Sequence, residues 1–178
     1  MLTGQEIIKQ YQDGNIDIEP FNQVFVGPNS IDVRLGTVIH EVIYNHTDHV
    51  NTYVDTSKPS MTYPINVNAD GNFVLEPGRA YLAHTIESIG SKRYVPLVHG
   101  RSTAARHGLM VHYAGLGDLG WYGQIVLELV NNTGYPMTLK PGVRVAQVSF
   151  HSAEGANSIL YNSTYQHQVG VVPAKALT

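Results

Sequence analysis

The stretch Trp121-Tyr122-Gly123-Gln124-Ile125-Val126-Leu127-Glu128-Leu129-Val130 constrains the fold more than any other part of the chain. Its period-two alternation puts Ile125, Leu127 and Leu129 on one face of a strand and Gln124, Val126, Glu128 and Val130 on the other. Both faces are mostly apolar, the pattern of a strand covered on both sides. A carboxylate there is costly unless it is paired or put to use, and this singles out Glu128. Burial disfavours the ionised form, which suits a group that must accept a proton and return it. A structural ion pair with an arginine accounts for the same pattern, and the strand alone does not choose between the two.

The rest of the chain reads as short strands and turns. Thr3 and Glu6 have the spacing of a capping box, and Ile7, Ile8 and Tyr11 fall on one side of a short N-terminal helix ended by Gly14. Ser30-Ile31-Asp32-Val33-Arg34-Leu35-Gly36 alternates apolar with charged as a half-buried strand does, and Val38 to Tyr44 reads as its hairpin continuation. From about Asn45 to Asn72 the composition predicts loops and edge strands. His46 and His49 lie there without a third ligand to make a metal site. Phe73 to Ala83 reads as strand, Pro-Gly turn, strand, and Met137 to Phe150 repeats that device around Pro141-Gly142. Such a pattern predicts a mainly β fold, a barrel or sandwich, in one domain over residues 1–178.

One further helical turn lies within Gly100-Arg101-Ser102-Thr103-Ala104-Ala105-Arg106-His107-Gly108. A glycine, an arginine and two hydroxyls opening a helix offer free N–H groups to an anion, although an ordinary N-cap uses the same residue types. Arg106 follows Ser102 by four residues and shares its side of the turn. The absence of cysteine excludes disulfides and thiolate metal ligands. A net charge of -3 with no basic run leaves no footprint for a nucleic-acid polymer, and charged residues at only 14% fit extensive contact between subunits. No segment has the pattern of a leader or a bilayer span, so the expectation is a cytoplasmic protein without a membrane partner.

With these pieces in place the chain resembles the dCTP deaminase branch of the trimeric dUTPase-like superfamily. The resemblance rests on Ser30 through Gly36, on Gly100-Arg101-Ser102 with Ala105-Arg106 and Gly108 through His112, on Gly120-Trp121 with Gly123 through Glu128, and on Pro141-Gly142 with Val148-Ser149-Phe150. It implies a jelly-roll-like β-barrel with a short N-terminal helix, forming homotrimers or a higher assembly of trimers, with sites built between subunits. It implies a deoxycytidine nucleotide substrate, dCTP by default, converted to dUTP and ammonia in pyrimidine deoxynucleotide metabolism. In that reading Glu128 activates a water for attack on C4 of cytosine, the Ala114 carbonyl binds the same water, and Ser102 and Arg106 orient water, glutamate and nucleotide. Arg101 and Thr103 lie near the phosphates, Asp118 holds the sugar 3'-hydroxyl, and Tyr161, Tyr165 and Gln168 belong to a tail, about 161–178, that closes over the triphosphate. Zinc is not required, in keeping with the missing cysteines. Magnesium is expected only with the nucleotide phosphates, held by their oxygens and water rather than by protein side chains.

Two departures modify this expectation. The segment Tyr113-Ala114-Gly115-Leu116-Gly117-Asp118 is shorter than its usual counterpart and resembles the dUTPase side of the superfamily, as does Arg144-Val145-Ala146-Gln147, whose glutamine holds the water that attacks the α-phosphate. The alternative is therefore a dUTPase or a bifunctional enzyme releasing dUMP and pyrophosphate. In the tail, Thr164 stands where the family has a lysine; either the lost positive charge near the outer phosphates lets dCMP or dCDP be accepted beside dCTP, or Arg79, Lys92 or Lys175 from a neighbouring subunit replaces it.

Overall fold

The structure, a computed structural model, describes residues 1–43, 54–111, 114–155 and 159–177. Helix α1 (Gly4–Gln12) starts at Thr3, whose hydroxyl accepts the Glu6 N–H, and ends before Gly14, which turns at φ +70°. Among the described residues ten strands follow: β1 (Asp17–Glu19), β2 (Ile31–Ile43), β3 (Met61–Ile65), β4 (Phe73–Leu75), β5 (Ala80–Gly90), β6 (Tyr94–Gly100), β7 (Leu109–Val111), β8 (Tyr122–Asn131), β9 (Met137–Leu139) and β10 (Arg144–Ser152). Helix α2 (Ser102–Arg106) is the turn foreseen between β6 and β7. The histidines His46, His49 and His112 lie outside the described residues. No described helix is long and apolar enough to cross a membrane.

Six strands form the main sheet in the order β6-β10-β2-β5-β8-β7, with β1 and β3 added to β5 and β2. Alternate residues of β2, β5, β8 and β10, among them Val33, Leu35, Tyr81, Leu127, Leu129, Val148 and Phe150, make one buried cluster. The sheet curls until its ends nearly meet. After β7 the chain runs beside β6, where the Val98 N–H donates to the Gly115 carbonyl, the Gly117 N–H donates to the Pro96 carbonyl, and Leu116 bridges Leu97. A Cβ on Gly115 would stand 2.4 Å from the Val98 carbonyl oxygen, and one on Gly117 2.6 Å from the Pro96 ring. Glycine is what allows this closure, and a nearly closed barrel results.

Two sequence expectations are corrected. No hairpin turn separates Gly36 from Val38, because β2 runs unbroken from Ile31 to Ile43. It pairs first with β10 and then with β3 and β5, and a register slip between Leu35 and Ile39 absorbs the extra residues that look like a turn. Gly36 sits in that slip with the His84 ring against it, at 2.3 Å from where a Cβ would lie. The second correction concerns the repeated Pro-Gly device. The strands flanking each turn do not pair with each other; instead β4 pairs with β9, while β5 and β10 enter the main sheet.

A buried carboxylate paired with an arginine is present at Glu87 on β5, only 1% exposed. Its Oε1 accepts from Arg34 Nε at 2.6 Å and its Oε2 from the Arg34 N–H at 2.8 Å. The irregular register of β5 against β8 between His84 and Ser88 turns Glu87 inward. Truncating one partner leaves the other charge buried, so Glu87→Ala is expected to cost about 3–5 kcal/mol in urea unfolding. Glu41→Ala, which breaks the exposed pair with Arg79, is expected to cost about 1 kcal/mol or less. Equal losses in the two variants would contradict this assignment.

Candidate active site

Strand β8 is paired by β5 from Tyr122 to Val130, but by β7 only over Leu129 to Asn131. Ile125, Leu127 and Leu129 enter the core as the alternation requires, while Gln124, Val126, Glu128 and Val130 are half-buried. The expectation of a strand covered on both faces is thus corrected. The Glu128 face opens on a cavity of about 390 Å³, within the range of small-molecule sites.

That cavity gathers six residues that the sequence placed in the site: Glu128, Ala114, Asp118, Tyr161, Tyr165 and Gln168. Three separate pieces of chain bring them there. Strand β8 supplies Glu128 above an apolar wall of Val126, Leu82 and Val98. The closing segment beside β6 supplies Ala114 and Asp118. The C-terminal tail supplies the other three, and it lies along the edge of β8 that β7 leaves uncovered.

The tail is fastened by both main chain and side chains. The Tyr161 N–H donates to the Leu119 carbonyl and the His167 N–H to the Tyr122 carbonyl, both at 2.8 Å, and the Gln124 N–H donates to the Gln168 carbonyl at 2.9 Å. Trp121 Nε1 donates to the Tyr165 carbonyl at 2.8 Å. The Gln166 amide grips the same edge, donating to the Gly120 carbonyl and accepting the Tyr122 N–H. The Tyr161 hydroxyl accepts the Tyr165 N–H, and the Tyr165 hydroxyl accepts the Lys175 N–H. Gly123 permits the approach, since a Cβ there would lie 2.9 Å from the Gln168 carbonyl oxygen.

The other residues foreseen for the site form a second group that does not line the cavity. Ser102, Thr103 and Arg106 stand exposed on α2, and among the described residues Arg106 makes no ion pair within the chain. Arg101, the residue before α2, lends no side-chain cap to the helix; its Nε lies 3.2 Å from Asp32 Oδ1. Asp32 also takes Arg144 at 3.1 Å, and the guanidinium groups of Arg144 and Arg34 flank the Phe25 ring. Gln147 accepts from the Ser30 hydroxyl at 3.0 Å. The alternation in Ser30-Ile31-Asp32-Val33-Arg34 therefore serves this charged face, with Ile31 and Val33 in the core. Sequence reasoning missed Trp121 and Gln124 as cavity and tail contacts. A signal was present: Gln124 is the other polar residue on the Glu128 face.

Comparison with known proteins gives the family and the fold. Residues 1–153 match a family model described as dCTP deaminase-like. A Clostridium beijerinckii protein named "dCTP deaminase, dUMP-forming" is 34% identical over 175 residues, covering 98% of this chain and 95% of its own length. A Cytophaga hutchinsonii protein of the same name is 35% identical over the same span. The crystal structure of a 2'-deoxycytidine 5'-triphosphate deaminase from Agrobacterium tumefaciens superposes with a TM-score of 0.63 at 19% identity, over 85% of this chain and 47% of that one, a likeness of fold. With a family match over most of its length and relatives above 30% identity along nearly all of it, the chain belongs to the dCTP deaminase family.

Proposed function

We propose that the protein converts dCTP to dUMP, hydrolysing the C4 amino group to ammonia and releasing pyrophosphate. The observation that carries this reading is the meeting of Glu128, Ala114 and Asp118 on one cavity, in a chain whose relatives carry the name dUMP-forming dCTP deaminase. Glu128 takes a proton from a water aimed at C4 and passes it on toward N3 and the departing ammonia, a role for a half-buried carboxylate on an apolar wall. The Ala114 carbonyl accepts from the same water and Asp118 from the sugar 3'-hydroxyl. A second water, held through the Gln147 that a neighbouring copy brings to the cavity, attacks the α-phosphate of the dUTP so formed. The tight Ala114 to Asp118 segment, consumed in closing the barrel against β6, supports this second step by its likeness to dUTPases.

Charge supports a site shared between copies of the chain. Among the described residues no Lys, Arg or His lines the cavity, which presents two carboxylates, Asp118 and Glu128. A triphosphate cannot be held there by one chain without cations. The exposed α2 group, with Arg106, Ser102 and Thr103, supplies the missing partner when brought from a neighbour in a homotrimer. Among the described residues no group of three or more His, Asp or Glu side chains is placed to hold a metal. Magnesium in this reading arrives on the phosphate oxygens, where it neutralises their charge. The tail has Thr164 in place of a lysine, which removes one cation expected near the outer phosphates and leaves dCMP and dCDP as further substrates.

The test is to incubate the protein with dCTP, dUTP and dCMP separately, with magnesium, and to separate the products by chromatography. The expected result is dUMP from dCTP and from dUTP, with some dUMP from dCMP. Accumulation of dUTP would support deamination alone, and untouched dCTP would overturn the reading. Glu128→Gln is expected to reduce deamination more than a hundredfold while leaving dCTP affinity within about threefold, because the amide keeps the shape but cannot accept the proton. Trp121 is the only tryptophan in the chain and lines the cavity, so its emission in that variant is expected to shift on dCTP addition. A tenth of normal turnover in Glu128→Gln would remove Glu128 as the base.

A further inference from the structure

Among the described residues the tail contacts the start of β8 through two main-chain hydrogen bonds, His167 to Tyr122 and Gln124 to Gln168. His167, one of the bonded residues, takes a left-handed φ of 58°, and at Gly170 the bond to β8 is made by a side chain instead of the main chain. Gln124 Oε1 accepts the Gly170 N–H at 2.7 Å, while its Nε2 donates to the Ile86 carbonyl of β5 at 3.2 Å. Gln168 returns the contact, its Nε2 donating to the Gln124 carbonyl at 2.8 Å. Residue Gln124 thus makes three hydrogen bonds to the tail and anchors itself on the opposite strand.

We propose that Gln124 is a positioning residue of this site, an amide latch that fixes the tail, and with it Tyr165 and Gln168, in register with Glu128. Three features carry the inference. A neutral side chain that must donate to β5 and accept from the tail at once has to be an amide of this length, since a carboxylate lacks the donor and an apolar chain lacks both. Gln124 lies four residues before Glu128 on the same face of β8, so the latch and the base share one rigid strand. The far end of the tail is also tied, by the Ser60 N–H to the Ala174 carbonyl and the Ala174 N–H to Ser60 Oγ, both at 2.9 Å. Val172, between the two ties, roofs the cavity. Substrate entry then requires release of the tail, and retention requires its return to one register.

The kinetic part of this inference rests on the deaminase reading given above, so its test has one readout that does not. In Gln124→Leu the Gly170 amide is expected to exchange with solvent deuterium at least tenfold faster than in the parent, with melting within a few degrees. The KM for dCTP is expected to rise at least tenfold while kcat changes less than threefold; a merely structural role would lower kcat through lost active protein and leave KM in place. Gln124→Asn keeps the amide but is one methylene too short to span from Ile86 to Gly170, so it should show the same pattern, and it carries the test if the leucine variant does not fold. Unchanged Gly170 exchange in both variants overturns the latch, whatever the activity. Faster exchange with unchanged KM overturns its role in positioning. If the parent protein does not act on dCTP, the functional reading fails while the exchange result still judges the latch.

Discussion

Strand β8 has two hydrogen-bonding edges, and only one is filled by a strand of matching length. β5 satisfies nearly all of the first, whereas β7 covers the second only from Leu129 to Asn131. An edge of unpaired N–H and C=O groups inside a folded chain has to be bonded or solvated. The remaining length is taken by the tail near Tyr122 to Gln124, and between tail and β7 lies the stretch where Val126 and Glu128 face the cavity. One mismatch in strand length thus creates the opening, places the carboxylate in it and docks the tail that covers it. The same economy appears at closure, where Gly115 and Gly117 let the segment carrying Ala114 and Asp118 lie against β6.

The charges fall into two separate groups, as the proposed site shared between copies of the chain requires. The cavity carries carboxylates and the tyrosine and glutamine side chains of the tail, while the arginines gather on the face of β2, β10 and the start of α2. Asp32 and Glu87 fix three of these arginines, Arg101, Arg144 and Arg34, whereas Arg106 makes no ion pair within the chain among the described residues. An exposed arginine costs little to leave in water, and carboxylates at a half-open cavity keep part of their hydration. Both arrangements gain in value when a polyanionic nucleotide and a second copy meet over the cavity, because excluding water strengthens each contact.

Much of the fold was legible in the sequence because its signals are local. The helix from Thr3 to Gly14, the turns at Pro77-Gly78 and Pro141-Gly142 and the alternation of β8 each follow from residue type and spacing. Pairing was not legible, since the partner of β4 is β9, more than sixty residues away, and nothing local states it. Irregularity was hidden for a similar reason. The slip near Gly36 and the irregular register before Ser88 change which residues face inward, so nothing in the sequence singled out Glu87, while Glu128 looked like a core residue. At the site, Glu128 was marked by the strand pattern and the other five cavity residues by family resemblance, and all six line one cavity; Gln124 and Trp121 act through main-chain partners in the tail that no spacing rule reveals.

The claim that most depends on this layout is that the cavity group and the α2 group come from different copies of the chain. The direct measurement is to unfold and refold Glu128→Gln and Arg106→Ala together at equal concentration and assay dCTP deamination. Each variant alone is expected to be nearly inactive. If sites are shared between neighbours, random assembly leaves about a quarter of them with both intact residues, and the mixture recovers roughly that fraction of the parent rate. A mixture that assembles normally and stays as inactive as its components would contradict the shared site.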